Sequence, residues 1–163
     1  MEGYSDMNFA DNKKGRKLVS GILVLVCGVA IEWAAKKQTA VALSTIESEL
    51  VAAFKTAQAM LGIRELLEEV GVHVKLPMVL HMDNQAEMVN MARPDVASPN
   101  IADEATSGRA KHIDMRLNFT RSLVQGVLQL QHVESQDMLA DILTKTFASG
   151  RFNWLPEKMN LRD

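Results

Sequence analysis

The sequence predicts an α/β domain, one mixed sheet with helices packed on it. Three observations lead there. Three β-rich segments follow one another near the start. A long stretch with helical apolar spacing comes next, and strand and helix patterns alternate after it. With 163 residues, the chain is one domain's worth of protein, long enough for a sizeable core.

Gly3 to Ala10 reads as a short strand, closed by the turn chemistry of Asp11-Asn12-Lys13-Lys14-Gly15. Leu18 to Cys27 and Val29 to Lys37 are rich in β-branched and aliphatic residues and meet at Gly28, so the three strands predict an antiparallel meander. Ser44 followed by Glu47 forms a capping box, and Ile46, Leu50, Ala53, Ala57, Met60 and Leu67 recur at helical spacing. This predicts a long helix over Thr45 to Val70, stopped by Gly71. Pro77 opens a strand, Met78 to Met82, and Gln85 to Ala92 forms a short helix. Arg93 to Gly108, with its prolines and Asn100, reads as a loop. Helical spacing returns over Arg109 to Val124. Val127 to Val133 alternates as a strand, and Ser135 is expected to cap a last helix from Gln136 to about Ala148. A short amphipathic piece around Phe152, Trp154, Leu155 and Met159 closes the chain. Residues 1–148 form the expected domain and 149–163 a tail.

Composition removes several function classes. Apolar residues make up 47% and charged residues 23%, ordinary globular usage rather than that of a disordered chain. Cys27 is the one cysteine, so there is no disulfide scaffold and no four-cysteine zinc site. The net charge of −2 gives no bulk argument for nucleic-acid binding, although a local basic face such as Lys13, Lys14, Arg16 and Lys17 is compatible with phosphate contact. The apolar run from Ile22 to Ile31 is ten residues, against about 20 for a membrane span, and no secretion signal is read.

Four acids stand where acids are disfavoured or where ligands collect. Asp6 lies inside a strand, and Asp83 ends one. Asp141 sits among Leu139, Ala140, Ile142 and Leu143, a poor place for a side chain that competes for backbone hydrogen bonds. Glu49 is one turn inside the long helix. Three have an ordinary alternative, a surface acid for Asp6 and Asp141 and an N-cap for Asp83, and Glu49 taken alone carries no signal. Gathered into one pocket they would repel strongly. Hard divalent cations such as Mg²⁺ or Mn²⁺ relieve such repulsion, and a pair of them suits phosphoryl displacement.

At this point the residues resemble a known family. Gly3-Tyr4-Ser5-Asp6, Ser20-Gly21, Ile31-Glu32-Trp33 with Lys36-Lys37-Gln38, and Val41 through Glu49 are similar, in order, to the ribonuclease H domain of copia-type LTR retrotransposon Pol polyproteins. So are Asp83-Asn84-Gln85-Ala86, Lys111 through Arg116, and Leu139 through Lys145, while Phe152 to Leu161 is similar to the family's Pol terminus. The chain departs from the pattern at Asn8, where a second acid is usual, and at Phe9, Ser107 and Leu117-Asn118-Phe119.

The resemblance implies the ribonuclease H-like fold, a five-stranded sheet in order 3-2-1-4-5 with helices on its faces. It implies two-metal cleavage of the RNA strand of RNA–DNA hybrids, with two Mg²⁺ or Mn²⁺ ions held by Asp6, Glu49, Asp83 and Asp141. Asp6 is implied to bridge both ions, Glu49 and Asp83 to hold the leaving-group ion, and Asp141 the water-activating ion. Between Glu47 and Glu49, the capping box engages Glu47 and leaves Glu49 for that role. Ser44, Thr45, Asn84, Gln85, Arg109 and Lys111 are candidates for hybrid contact. The partners implied are the hybrid and a reverse transcriptase domain of the same polyprotein, with no membrane; the location implied is intracellular, in cytoplasm or virus-like particles. A catalytically silent module that keeps the fold for binding or assembly is the alternative. Trp33 is expected in the core, and His132 in a strand.

Overall fold

The computed structural model describes residues 1–9, 18–37, 45–93, 108–146 and Met159. Its elements are β1 (Glu2–Phe9), β2 (Leu18–Val26), β3 (Val29–Lys37), α1 (Thr45–Glu69), β4 (Met78–Met82), α2 (Gln85–Ala92), α3 (Gly108–Val124) and β5 (Leu128–His132). Two 3₁₀ segments follow, Ser135–Asp137 and Leu139–Leu143. The five strands form one sheet in order β3-β2-β1-β4-β5. β1 to β3 are antiparallel neighbours, whereas β4 pairs in parallel with both β1 and β5. This is the expected α/β architecture and strand order. Ser44, the basic run at 13–17, the tail residues Phe152, Trp154 and Leu155, and the 149–163 boundary lie outside the described residues, Met159 excepted.

Period-two alternation divides the strand residues between the two faces. On one face Val24, Met78, Leu80, Met82 and Leu128 pack under α1, whose Leu50, Ala53, Ala57, Met60 and Ile63 form the facing stripe. Fully burying a side chain of this kind stabilises by about 1.5–3 kcal/mol, so this layer dominates the fold. α1 comes close to β1 because Gly3 has no side chain: a Cβ there would lie 2.4 Å from Met60 Sδ and 2.9 Å from Thr56 Cγ2. α3 clasps α1 through an edge-on Phe54–Phe119 pair, with Arg116 over the Phe54 ring, and Arg121 Nε donates to the Asn90 carbonyl of α2 at 3.0 Å.

The other face carries Tyr4, Leu23 and Leu25 against Met138, Leu139, Ala140 and Met159. Tyr4 stacks on His81 at 4.3 Å, and Glu2 Oε2 lies 3.2 Å from the Tyr4 hydroxyl and 3.3 Å from His81 Nε2. Burial lowers the His81 pKa, with Glu2 opposing it.

Two expectations are corrected here. The helix expected from Gln136 is replaced by the two 3₁₀ segments, separated by an extended Met138 (φ −70°, ψ 103°). Met138, Leu139, Ala140 and Asp141 are all buried, and four consecutive buried residues do not fit the one-sided stripe of an amphipathic α-helix. Trp33 is 63% exposed rather than in the core. It stands opposite Leu23 on the outer strand β3, where it lines an apolar groove with Ile142 and Leu143. Among the described residues, no helix is long and apolar enough to cross a membrane.

The Leu139–Leu143 segment lies close against β2 at Gly21. A Cβ at Gly21 would meet Thr144 Cγ2 at 2.7 Å and the Ala140 carbonyl oxygen at 2.9 Å. Gly21→Ala is therefore expected to cost about 1–3 kcal/mol and to lift this segment from the sheet. Gly62 lies in the exposed middle of α1, where an added methyl group would meet no other atom within 4 Å. Gly62→Ala is therefore expected to stabilise by up to about 1 kcal/mol. Urea denaturation of the two variants checks both signs.

Candidate functional site

The β1–β4 register explains how two distant aspartates come level. Tyr4 pairs with His81, so two residues further along, Asp6 and Asp83 stand at the same end of adjacent parallel strands. Asp6 is still within β1, whereas Asp83 has just left β4. Asp83 is not the helix cap that its position allowed. Asn84 takes that role, its Oδ1 accepting the Glu87 N–H at 3.1 Å, and the Asp83 carboxylate instead accepts a bond from Ser135 Oγ at 3.4 Å. Ser135, expected to cap a helix, thus reaches across to the end of β4.

Asp141 arrives from the opposite layer. Its segment lies on β1 and β2 because Leu139 and Ala140 are buried against that face, and Asp141 itself is 1% exposed. The segment is tied to β1 by polar contacts as well. The Thr144 hydroxyl donates to Asp6 Oδ2, and Asn8 Nδ2 donates to the Thr144 carbonyl at 3.1 Å. Lys145 Nζ lies 2.6 Å from Asp141 Oδ1 and 3.6 Å from Asp6 Oδ1. Burial works against the Lys145 ammonium, but the bond to Asp141 and the charges of Asp6, Asp141 and Asp83 outweigh it and raise its pKa.

Glu49 comes from the second turn of α1, next to Ser48 and Leu50, which are also buried. It is 8% exposed, and its Oε2 is buried with no hydrogen-bond partner among the described residues. Its carboxyl is pushed up to about 8. Burial is the largest cause, followed by the charges of Asp83 and Asp6; Lys145 works the other way, and Glu87 adds to the rise. Glu49 therefore shares the electrostatic neighbourhood of the two strand aspartates. Glu47, two residues earlier on the helix, is half-exposed.

Asp6, Glu49, Asp83 and Asp141 are thus linked through Lys145 and through one another at one end of the sheet. They are not a finished ligand shell. Among the described residues, no three His, Cys, Asp or Glu side chains are grouped so as to hold one ion as they stand. The donor chemistry nonetheless fits hard divalent cations, since all four groups are carboxylates and one buried oxygen lacks a partner among the described residues.

The remaining candidates are spread more widely. Asn84 uses its oxygen as a cap, and Gln85 is exposed at the start of α2. Thr45 begins α1, and Arg109 lies in the first turn of α3. Lys111 is exposed on α3, which packs on α1 and α2. His132 ends β5, half-buried, with Nδ1 4.0 Å from Glu134. Sequence reasoning gave no role to Asn8, Thr144 or Lys145. A signal for Lys145 was present in its spacing, four residues after an acid.

No protein-family model matches the chain. Over 162 residues, 99% of its length, it is 31% identical to the retrovirus-related Pol polyprotein from transposon TNT 1-94 of Nicotiana tabacum. Over the same length it is 32% identical to the corresponding polyprotein from transposon RE1 of Arabidopsis thaliana, and 30% identical to that from transposon RE2. The chain spans 11% of the first of these proteins and 10% of each of the others. It is therefore similar, along nearly all its length, to one segment of plant retrotransposon Pol polyproteins.

The raised Glu49 pKa sets a stability trend. Below its ordinary value of 4.5 the carboxyl is protonated both folded and unfolded, and the contribution is fully present. As pH rises towards about 8 the folded form keeps a proton that the unfolded form has lost, so stability falls. Denaturation in chelator between pH 5 and 8 is expected to show this fall, with a slope of at most about 1.4 kcal/mol per pH unit. The Glu49→Gln variant is expected to lose that part of the slope.

Proposed function

We propose that this domain is a metal-dependent nuclease that cleaves the RNA strand of RNA–DNA hybrids within a retrotransposon Pol polyprotein. The observation that carries the reading is Glu49: a carboxyl raised first by its burial and then by Asp83 and Asp6 at the shared end of β1 and β4, with one oxygen that has no hydrogen-bond partner among the described residues. The similarity to plant retrotransposon Pol polyproteins supplies the setting.

Asp6, Glu49, Asp83 and Asp141 would hold two Mg²⁺ or Mn²⁺ ions. Bound there, such ions supply Lewis-acid stabilisation of the phosphoryl group and an activated water. Asp6 is central because it stands in the middle strand, between the Asp83 side and the Asp141 side. Glu49 must give up its proton to act as a ligand, so metal affinity rises with pH through about 8. Glu49 is also the group set to meet the 2′-hydroxyl that distinguishes RNA from DNA. Asn84 and Gln85 follow Asp83 directly and would meet the hybrid beside it, with Arg109 and Lys111 further out on α3. A reverse transcriptase domain on the same polyprotein would deliver the hybrid inside the cell.

One observation favours the silent binding module: the acids stand around a lysine rather than as a formed shell. Titration of Mg²⁺ or Mn²⁺ against a labelled hybrid separates the two readings. Wild type is expected to cleave, and Asp83→Asn to lose about a hundredfold or more of the rate while still binding hybrid. Absence of cleavage at every metal concentration overturns the nuclease reading. Glu47→Gln is expected to keep nearly full activity and Glu49→Gln to lose it; the reverse result moves the role to Glu47.

A further inference from the structure

The acidic end of the sheet already contains a cation that belongs to the chain. Lys145 is held there by its backbone: the Asp141 carbonyl accepts the N–H groups of Thr144 at 3.1 Å and Lys145 at 2.9 Å. This tight turn folds the lysine back over the carboxylate four residues before it, at 2.6 Å, and leaves it 3.6 Å from Asp6. The Asp6 and Asp141 side chains are 2% and 1% exposed, so water does little to screen them. The Lys145 side chain is 29% exposed and keeps a path to solvent.

Two consequences pull in opposite directions. Taking away the ammonium would remove the positive charge that Lys145 brings to two buried carboxylates, which is destabilising. A divalent ion, on the other hand, needs the same Asp6 and Asp141 oxygens, and a bound ammonium at these distances repels it. Lysine suits such a double duty because its charge is a point at the end of a flexible stem, with no fixed fork to lock it in place.

Resting on the ligand set of the nuclease reading, we propose that Lys145 is a resident counter-cation of the acidic site. It holds Asp6 and Asp141 together before metal arrives, and its ammonium leaves them when the first divalent ion binds. Metal affinity is then a competition between the ion and the lysine for the same oxygens. The Thr144 bond to Asp6 and the Asn8 bond to the Thr144 carbonyl keep the segment docked while the side chain swings out.

The test compares the 163-residue wild type with Lys145→Met, which keeps the stem and removes the charge. Thermal melting is followed in chelator and in Mn²⁺, and Mn²⁺ affinity is measured by calorimetry. Lys145→Met is expected to melt lower than wild type in chelator and to bind Mn²⁺ about tenfold more tightly. Equal melting in chelator, or equal or weaker Mn²⁺ affinity, overturns the proposal. Should Lys145→Met not fold, the wild type still reports: the Lys145 side-chain NMR signals are expected to shift on addition of Mg²⁺, and unshifted signals under saturating Mg²⁺ overturn the proposal. Wild type that binds no Mn²⁺ also overturns it. Wild type that binds Mn²⁺ with the predicted Lys145 effect but cleaves no hybrid overturns the nuclease reading alone.

Discussion

Asp6, Asp83 and Asp141 bring negative charge to one end of a five-stranded sheet beside the Glu49 carboxyl, and two of these aspartates are almost fully buried. Two like charges about 5 Å apart at an effective dielectric constant of about 20 repel by roughly 3 kcal/mol. Net folding stability is only about 5–15 kcal/mol, so several such pairs left uncompensated would consume much of it. The surrounding structure answers that repulsion in three ways. Lys145 supplies positive charge to Asp6 and Asp141, hydroxyls from Thr144 and Ser135 donate to Asp6 and Asp83, and Glu49 keeps its proton to near pH 8. An arrangement that costs this much serves poorly as ordinary packing. In the proposed nuclease, the same oxygens would take divalent ions.

Backbone proximity makes the arrangement possible. Gly3 lets α1, the helix that carries Glu49, lie close to β1 at Thr56 and Met60. Gly21 lets the Leu139–Leu143 segment lie close to β2, which delivers Asp141 and the lysine after it. These two glycines stand on neighbouring antiparallel strands and face opposite layers. One sheet thus has a helix set close on one side and a tight turn set close on the other, and its acids are gathered where the strands end.

Much of this was legible in particular residues. The helical stripe of Thr45 to Glu69, the five-residue strand Met78–Met82 and the helix Gln85–Ala92 depend on local periodicity and on end signals that act within a few residues. Asp83 and Asn84 show the limit of such reading. Either could cap α2, and only the bond from the Glu87 N–H to Asn84 decides it. Trp33 shows another limit, because an apolar residue in a strand is buried only if something covers that strand, and β3 is an edge strand.

By itself, then, the sequence determined the run of elements through β5, the mixed sheet with its 3-2-1-4-5 order by family likeness, and which four acids stand out. Tertiary structure alone decided three things: that Gln136 onward forms 3₁₀ turns instead of a helix, that Asn8 and Thr144 pin that segment to β1, and that Lys145 sits among the carboxylates. The reason is one of range. Periodicity and caps report forces between residues a turn or a pleat apart, whereas burial of four consecutive residues and the field of distant charges exist only once the sheet has brought both ends of the chain together.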